Sequence, residues 1–189
     1  MIDLHRAAPP PIALATDLRL PGRADLEAAL ADRHHPWTTG PYAEPARQTL
    51  IRHAPRVADW LQEFDERAAA VSPRTDWVVT HGEPHPGNVL RTPGGPRLID
   101  WDTARLAPPE RDLWMLTSTM FGAPPENDDT VLTHYEHRTG HSVARGTLAF
   151  YRLWWTLADL AIYTDELRHP HTAGPDRDDS LRYLTAYFE

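Results

Sequence analysis

The sequence predicts an α+β fold, mostly helical, with one small β-hairpin near the middle of the chain. Three observations predict it. Apolar residues recur at three- and four-residue steps on both sides of the centre, the period of a helix buried along one face. Between residues 77 and 101 that period gives way to short β-rich runs interrupted by Thr92-Pro93-Gly94-Gly95-Pro96. The length, 189 residues with 41% hydrophobic and 24% charged side chains, suits one globular domain, 1–189, and is short for two.

In chain order, the prolines at 9–11 and Pro21-Gly22 mark residues 1–24 as an irregular N-terminal segment. A short helix is predicted over 25–33, then a loop over 35–45 anchored by Trp37 and Tyr42. A longer helix over 46–71 follows, with Leu50, Ala54, Val57, Leu61, Phe64, Ala68 and Val71 on one face. Pro55 lies inside it and predicts a kink or a split, and Ser72-Pro73 predicts its end. A strand over 77–80, a polar turn over 81–87 and two strands over 88–91 and 97–101 form the centre. Helices are predicted over 110–121, 128–138, 142–168 and 178–188. The third of these carries Phe150, Leu153, Trp154, Leu157, Ala161 and Ile162, apolar nearly all round, as a central core helix should be; Tyr151 and Trp155 are read as core too.

Composition narrows the function. A net charge of −8 speaks against nucleic acid or an anionic membrane as partner and is compatible with a cationic small molecule. No Cys is present, so disulfides and thiolate metal sites are excluded. No apolar run nears the ~20 residues that cross a bilayer, and residues 1–11 lack the pattern of a secretory signal, so a cytoplasmic setting is expected. All 19 basic residues are Arg. Any chemistry that needs an ammonium group must obtain it elsewhere.

The chemistry-bearing stretch is Thr80-His81-Gly82-Glu83-Pro84-His85-Pro86-Gly87-Asn88-Val89-Leu90, followed by Leu98-Ile99-Asp100-Trp101-Asp102. Glu83 precedes Asn88 by five residues, and a second acid, Asp100, follows at the end of the next predicted strand. Phosphoryl transfer from ATP needs such a set: one carboxylate to orient and deprotonate a hydroxyl, an amide oxygen and another carboxylate to hold Mg2+ against the phosphates. Pro84 and Pro86 stiffen the loop, and a hairpin returns the chain so that Asp100 approaches Asn88. Asn88 and Asp100 could otherwise be plain turn residues. His81 and His85 have the spacing of a helical zinc pair, but the two prolines forbid a helix there. Arg111 next to Asp112 reads as a local ion pair at a helix start, and His34-His35 and His169-Pro170-His171 as solvated loop residues.

These motifs resemble the aminoglycoside phosphotransferase family, a family of small-molecule kinases whose loop reads His-Gly-Asp, four residues, Asn, then Ile-Asp-Trp-Asp or Glu. The run Leu106-Ala107-Pro108-Pro109-Glu110-Arg111-Asp112-Leu113-Trp114 resembles it too, within it the spectinomycin phosphotransferase branch. The resemblance is carried by residues 77–121, the expected catalytic and metal-binding core. It implies ATP and Mg2+ as cofactors, a small-molecule substrate and a role in antibiotic resistance. It implies Glu83 as catalytic base with His81 bracing the loop, and Asn88 and Asp100 as metal ligands. Asp102 would contact the metal through water or stand behind the ligands. Asp112 and His85 would be structural residues near the site. Asp159, Asp165 and Glu166 could face a cationic substrate or form a solvated helix face.

Two departures from the family pattern stand out. Glu83 replaces Asp; its ordinary pKa is nearly the same, but it reaches farther by one methylene, and positioning matters in this chemistry. The family's N-terminal β-rich nucleotide lobe should precede this region, yet only 80 residues precede His81 and they read as helical. The opening Leu4-His5-Arg6-Ala7-Ala8-Pro9 resembles the junction just after that lobe. The chain is therefore expected to be the C-terminal lobe of a protein-kinase-like fold with the N-terminal nucleotide lobe absent. Two functions follow: an ATP-dependent phosphotransferase acting on a hydroxyl of a small polar or cationic substrate, or a catalytically silent kinase-like fragment that binds. A face left bare by the lobe would be apolar and favour self-association.

Overall fold

The longest apolar stripe becomes one unbroken helix. A computed structural model describes residues 1–71, 76–118 and 128–189. Its elements are α1 (Ile2–Arg6), α2 (Arg23–Asp32), α3 (Ala43–Ala69), β1 (Val78–Thr80), a 3-10 turn (Pro86–Asn88), β2 (Val89–Thr92), β3 (Gly95–Leu98), β4 (Arg105–Ala107), α4 (Glu110–Leu116), α5 (Asp128–Thr139), α6 (Arg145–Arg168) and α7 (Pro175–Ala186). Leu50, Ala54, Val57, Leu61 and Phe64 are all buried on α3. Pro55 does not split that helix. It sits on the exposed side, and Ile51, whose carbonyl loses its partner, is exposed as well, so water can serve that group. The predicted stop at Ser72-Pro73 and the predicted helical turns over 119–121 lie outside the described residues.

The chain divides into two compact units. The first comprises residues 1–18 and 67–152, the second residues 19–66 and 153–189.

In the first unit β1 pairs antiparallel with β4, Val79 opposite Leu106, and β2 pairs antiparallel with β3, Val89 opposite Leu98. Strand β4 was not predicted. At three residues it is too short to show a period, and it forms because β1 offers it a ladder. The segment 1–24 is not irregular throughout, which corrects the expectation: α1 packs against β1 and α5, and Ala15 bridges Leu106 in parallel through Thr16 N–H to Leu106 O, 2.9 Å, and Leu106 N–H to Leu14 O, 2.8 Å. Leu113, Trp114, Met115, Leu132, Tyr135, Phe150 and Tyr151 are buried in this unit.

The second unit is helical: α2, most of α3, the second half of α6, and α7. Its buried residues include Leu26, Trp37, Leu50, Leu157, Leu160, Leu167 and Leu184. Gly22 starts α2 in left-handed backbone, φ +66°, and a Cβ there would stand 2.9 Å from the Cβ of Ala161. That contact explains a glycine where a capping side chain would otherwise serve. Helix α6 is less uniformly buried than predicted. Ile162 is 49% exposed, and Trp154 is half-buried with its indole N–H given to Arg19 O at 2.8 Å. Among the described residues no helix is long and apolar enough to cross a membrane.

Candidate active site

The segment after β1 is held by buried polar atoms, not by apolar packing. Asp112, fully buried at the start of α4, accepts the backbone N–H of His81 on Oδ2 at 2.8 Å and that of Gly82 on Oδ1 at 2.6 Å. Its Oδ2 is also 3.0 Å from His5 Nε2. Three donors therefore converge on one carboxylate, which offsets the cost of removing it from water.

Arg111 does something other than pair with Asp112. Its guanidinium donates to Thr80 Oγ1 and Thr103 O, both at 2.9 Å. Burial pulls its pKa down, while the nearby Asp112 and Tyr151 pull it up. The guanidinium lies flat against Gly82, where a Cβ would stand 2.5 Å from Nη1 and Nη2, and Gly82 itself has φ +100°. Only glycine satisfies both the backbone and the contact.

His81 ties this loop to the hairpin. Its Nδ1 accepts the N–H of Glu83 at 3.3 Å, so the proton resides on Nε2, which donates to Ile99 O at 2.9 Å. Its carbonyl accepts Thr103 Oγ1–H at 2.9 Å, and its ring meets that of Trp101 edge-on at 4.6 Å. His85 Nδ1 accepts Gly87 N–H at 3.1 Å and so caps the 3-10 turn. Asn88 donates its Nδ2 to Glu83 O at 3.0 Å. That leaves Asn88 Oδ1 without a hydrogen bond among the described residues, free to face a cation.

The hairpin register then places Asp100. Val89 opposes Leu98, and Ile99 N–H bonds Asn88 O at 3.0 Å, so Asp100 follows the residue directly opposite Asn88. Strand β3 ends at Leu98, two residues earlier than Asp100 and not at Trp101 as predicted. Asp100 itself adopts left-handed backbone, φ +62°, a conformation that Asp tolerates better than most residues. Asp100 and Asp102 are exposed, and neither carboxylate has an ion-pair or hydrogen-bond partner among the described residues. Glu83 is half-buried, and its carboxylate likewise makes no hydrogen bond there.

These donors fit a magnesium–nucleotide complex. Mg2+ keeps several waters and takes only one or two protein carboxylates plus phosphate oxygens. No group of three or more His, Asp or Glu side chains gathers to form a closed metal cage among the described residues. Exposed Leu90, Ile99 and Trp101 add apolar surface on and beside the same hairpin. A cavity of about 620 Å³ in the first unit is lined by Pro84, Val89, Leu98, Trp101 and Tyr135 among others.

The three remaining candidates lie elsewhere, on the part of α6 that belongs to the second unit. Asp159 accepts the hydroxyl of Tyr187, Asp165 stands 3.0 Å from His169 Nδ1, and Glu166 takes Ser180 Oγ–H at 2.7 Å and Arg177 at 2.8 Å. His171 is not simply solvated: its Nε2 accepts Tyr42 N–H at 3.2 Å and its ring stacks on Tyr42. Sequence reasoning missed His5, Tyr135 and Thr103 as supports of the loop. No periodicity marks them, because each acts through individual hydrogen bonds to residues distant in sequence.

Comparison with known proteins gives the class. A model of the phosphotransferase enzyme family matches residues 2–154, and the chain belongs to that family. Among curated proteins it is similar to Protein StrN of Streptomyces griseus, 32% identical over 198 residues that cover 98% of this chain and 55% of the relative. Among solved structures it is similar to spectinomycin phosphotransferase in complex with ADP and spectinomycin, with a TM-score of 0.82 at 18% identity over 100% of this chain and 59% of the other. The AMP-bound complex of that phosphotransferase gives a TM-score of 0.79 over 98% of this chain. This likeness establishes the kinase-like fold. The chain spans a little over half the length of the relatives it matches.

Proposed function

We propose that this chain carries the transfer machinery of an ATP- and Mg2+-dependent phosphotransferase acting on a hydroxyl of a small polar or cationic molecule, an amino-sugar antibiotic or a related metabolite. The observation that carries the reading is a set of uncommitted oxygens on rigidly held backbone. Among the described residues Glu83, Asn88 Oδ1 and Asp100 make no side-chain oxygen bonds of their own, while Asp112 and His81 fix the segments that bear them. Asn88 and Asp100, with Asp102 through water, would hold Mg2+. When bound, the ion would supply positive charge against the phosphates during transfer. Glu83 orients the substrate hydroxyl and accepts its proton as that oxygen bonds to the γ-phosphorus. The bond to ADP breaks, and ADP leaves with the electron pair. His81 and His85 shape the loop around these groups.

Support for the nucleotide comes from the family and from the ADP and AMP complexes of the spectinomycin enzyme. Support for an amino-sugar substrate comes from the spectinomycin in that complex and from the net charge of −8. Asp159, Asp165 and Glu166 are proposed contacts for such a cation once their present partners give way. A cytoplasmic setting, where ATP is supplied, a role in antibiotic resistance, and self-association through exposed apolar side chains such as Ile12 and Leu14 belong to the same proposal. A second reading, a silent kinase-like binding domain, is favoured by the absence of Lys from these 189 residues.

Turnover and binding separate the two. ATP consumption with spectinomycin and other amino sugars should fall by about 10²–10⁴-fold in Glu83→Gln, the usual contribution of a positioned base. Mn2+–ADP binding, followed by paramagnetic resonance, should survive that change and be lost in Asp100→Asn. Turnover untouched by Glu83→Gln removes Glu83 as the base. Binding without turnover in the wild type selects the silent domain.

A further inference from the structure

The buried chain of hydrogen bonds behind the loop does not end at Asp112. His5, on α1, is buried, with Nε2 3.0 Å from Asp112 Oδ2 and Nδ1 2.9 Å from the hydroxyl of Tyr135 on α5. Hydrogen-bond bookkeeping fixes the direction. A carboxylate only accepts, so Nε2 carries a proton toward Asp112, and Nδ1 of a neutral ring accepts from Tyr135 O–H. The two rings also meet edge-on at 5.5 Å, a second contact that limits rotation of the imidazole. Burial raises the Tyr135 pKa, so the hydroxyl keeps its proton for this bond. Asp112 Oδ2 in turn receives His81 N–H, and Oδ1 receives Gly82 N–H. The order is Tyr135, His5, Asp112, then the backbone directly before Glu83.

We propose that His5 is a positioning residue for the loop: it fixes the rotation of the Asp112 carboxylate, and through it the placement of the peptide that carries Glu83. A carboxylate without His5 keeps both amide bonds only in whichever rotamer its remaining partners allow. With His5 in place, three directions constrain one planar group. The physical link is short, and every member is buried, so water cannot replace a lost partner cheaply. For its kinetic consequence the proposal rests on Glu83 as base; for its structural content it does not.

Amide hydrogen exchange, followed by NMR on the intact chain, reads the link directly. His5→Leu should speed exchange at His81 and Gly82 by about tenfold or more while amides of α7 stay as they are. His5→Gln can donate to Asp112 and accept from Tyr135, and should restore both amides. In the phosphotransfer assay His5→Leu should lower kcat about tenfold with KM unchanged, and His5→Gln should recover it. Unchanged exchange at the two amides overturns the proposal. So does a loss spread evenly over the first unit that Gln fails to rescue, the mark of packing alone. Should His5→Leu not fold, Tyr135→Phe takes its place: faster exchange at His81 and Gly82 supports the link, and unchanged exchange overturns it. A positive exchange result with unaltered kcat keeps the link and removes Glu83 as base, so the two ideas fail separately.

Discussion

The two units bury different kinds of atoms. The first hides His5, Thr80, His81, Asn88, Glu110 and Asp112, nearly all answered by backbone or by one another. Glu110 is typical: burial raises its pKa, and Ala144 N–H at 2.7 Å pulls it partly back. The second unit buries mainly Leu and Ala, with Arg47 as a buried charge, and carries exposed pairs such as Arg23–Asp65 and Arg182–Asp179. Apolar packing is non-directional and forgiving, whereas a converging set of hydrogen bonds tolerates little displacement. The unit that carries the proposed base, Glu83, relies on the second kind around its loop. The other relies chiefly on the first.

That contrast predicts where substitution hurts most. Asp112→Ala leaves the His81 and Gly82 amides and His5 without their shared acceptor, all out of reach of water. It should cost about 3–5 kcal/mol, the scale of breaking a buried charged partner. Leu50→Ala, in the fully buried stripe of α3, should cost about 3 kcal/mol from lost transfer energy and the cavity left behind. Urea unfolding of each variant measures both. Were Leu50→Ala the more damaging by a clear margin, the polar network would be ornament on an apolar core, and the contrast between the units would break.

The same contrast governs how far the sequence could be read. Helix α3 was legible because five apolar residues at helical spacing leave no other structure that buries them together. The hairpin was legible from Pro93-Gly94-Gly95-Pro96, although β2 and β3 sit closer to the turn than predicted and leave Asp100 beyond the ladder. Residues 77–101 also offered Glu83, Asn88 and Asp100 as a candidate set, because their order along one short segment is itself the signal. Strand β4, the parallel bridge at Ala15 and the partners of Asp112 were not legible. Each is decided by a residue tens of positions away, and a single long-range hydrogen bond leaves no period. Arg111 illustrates the limit: its neighbour Asp112 suggested an ion pair, while in the fold its guanidinium turns to Thr80 and Thr103.

The smallest effect should come from the best-formed ion pair of the second unit. Arg23 holds Asp65 through two bonds, Nη1 to Oδ1 at 2.5 Å and Nη2 to Oδ2 at 2.9 Å, and reaches Glu27 as well. The guanidinium holds the Asp65 carboxyl below its ordinary pKa, chiefly by those hydrogen bonds. A depressed folded-state value stabilises the fold above the unfolded pKa of about 4 and is lost as pH falls through the depressed value. Both side chains are exposed by a third or more, at 34% and 55%, so water and salt screen the attraction. Arg23→Ala should therefore cost about 1 kcal/mol or less at neutral pH, less still at high ionic strength, and nothing once Asp65 is protonated. Thermal unfolding of the wild type and Arg23→Ala at pH 7 and near pH 2, each at low and high salt, checks all three. A cost comparable to that of Leu50→Ala would mean that charge, not packing, holds this unit, and the physical distinction between the two halves of the chain would fail.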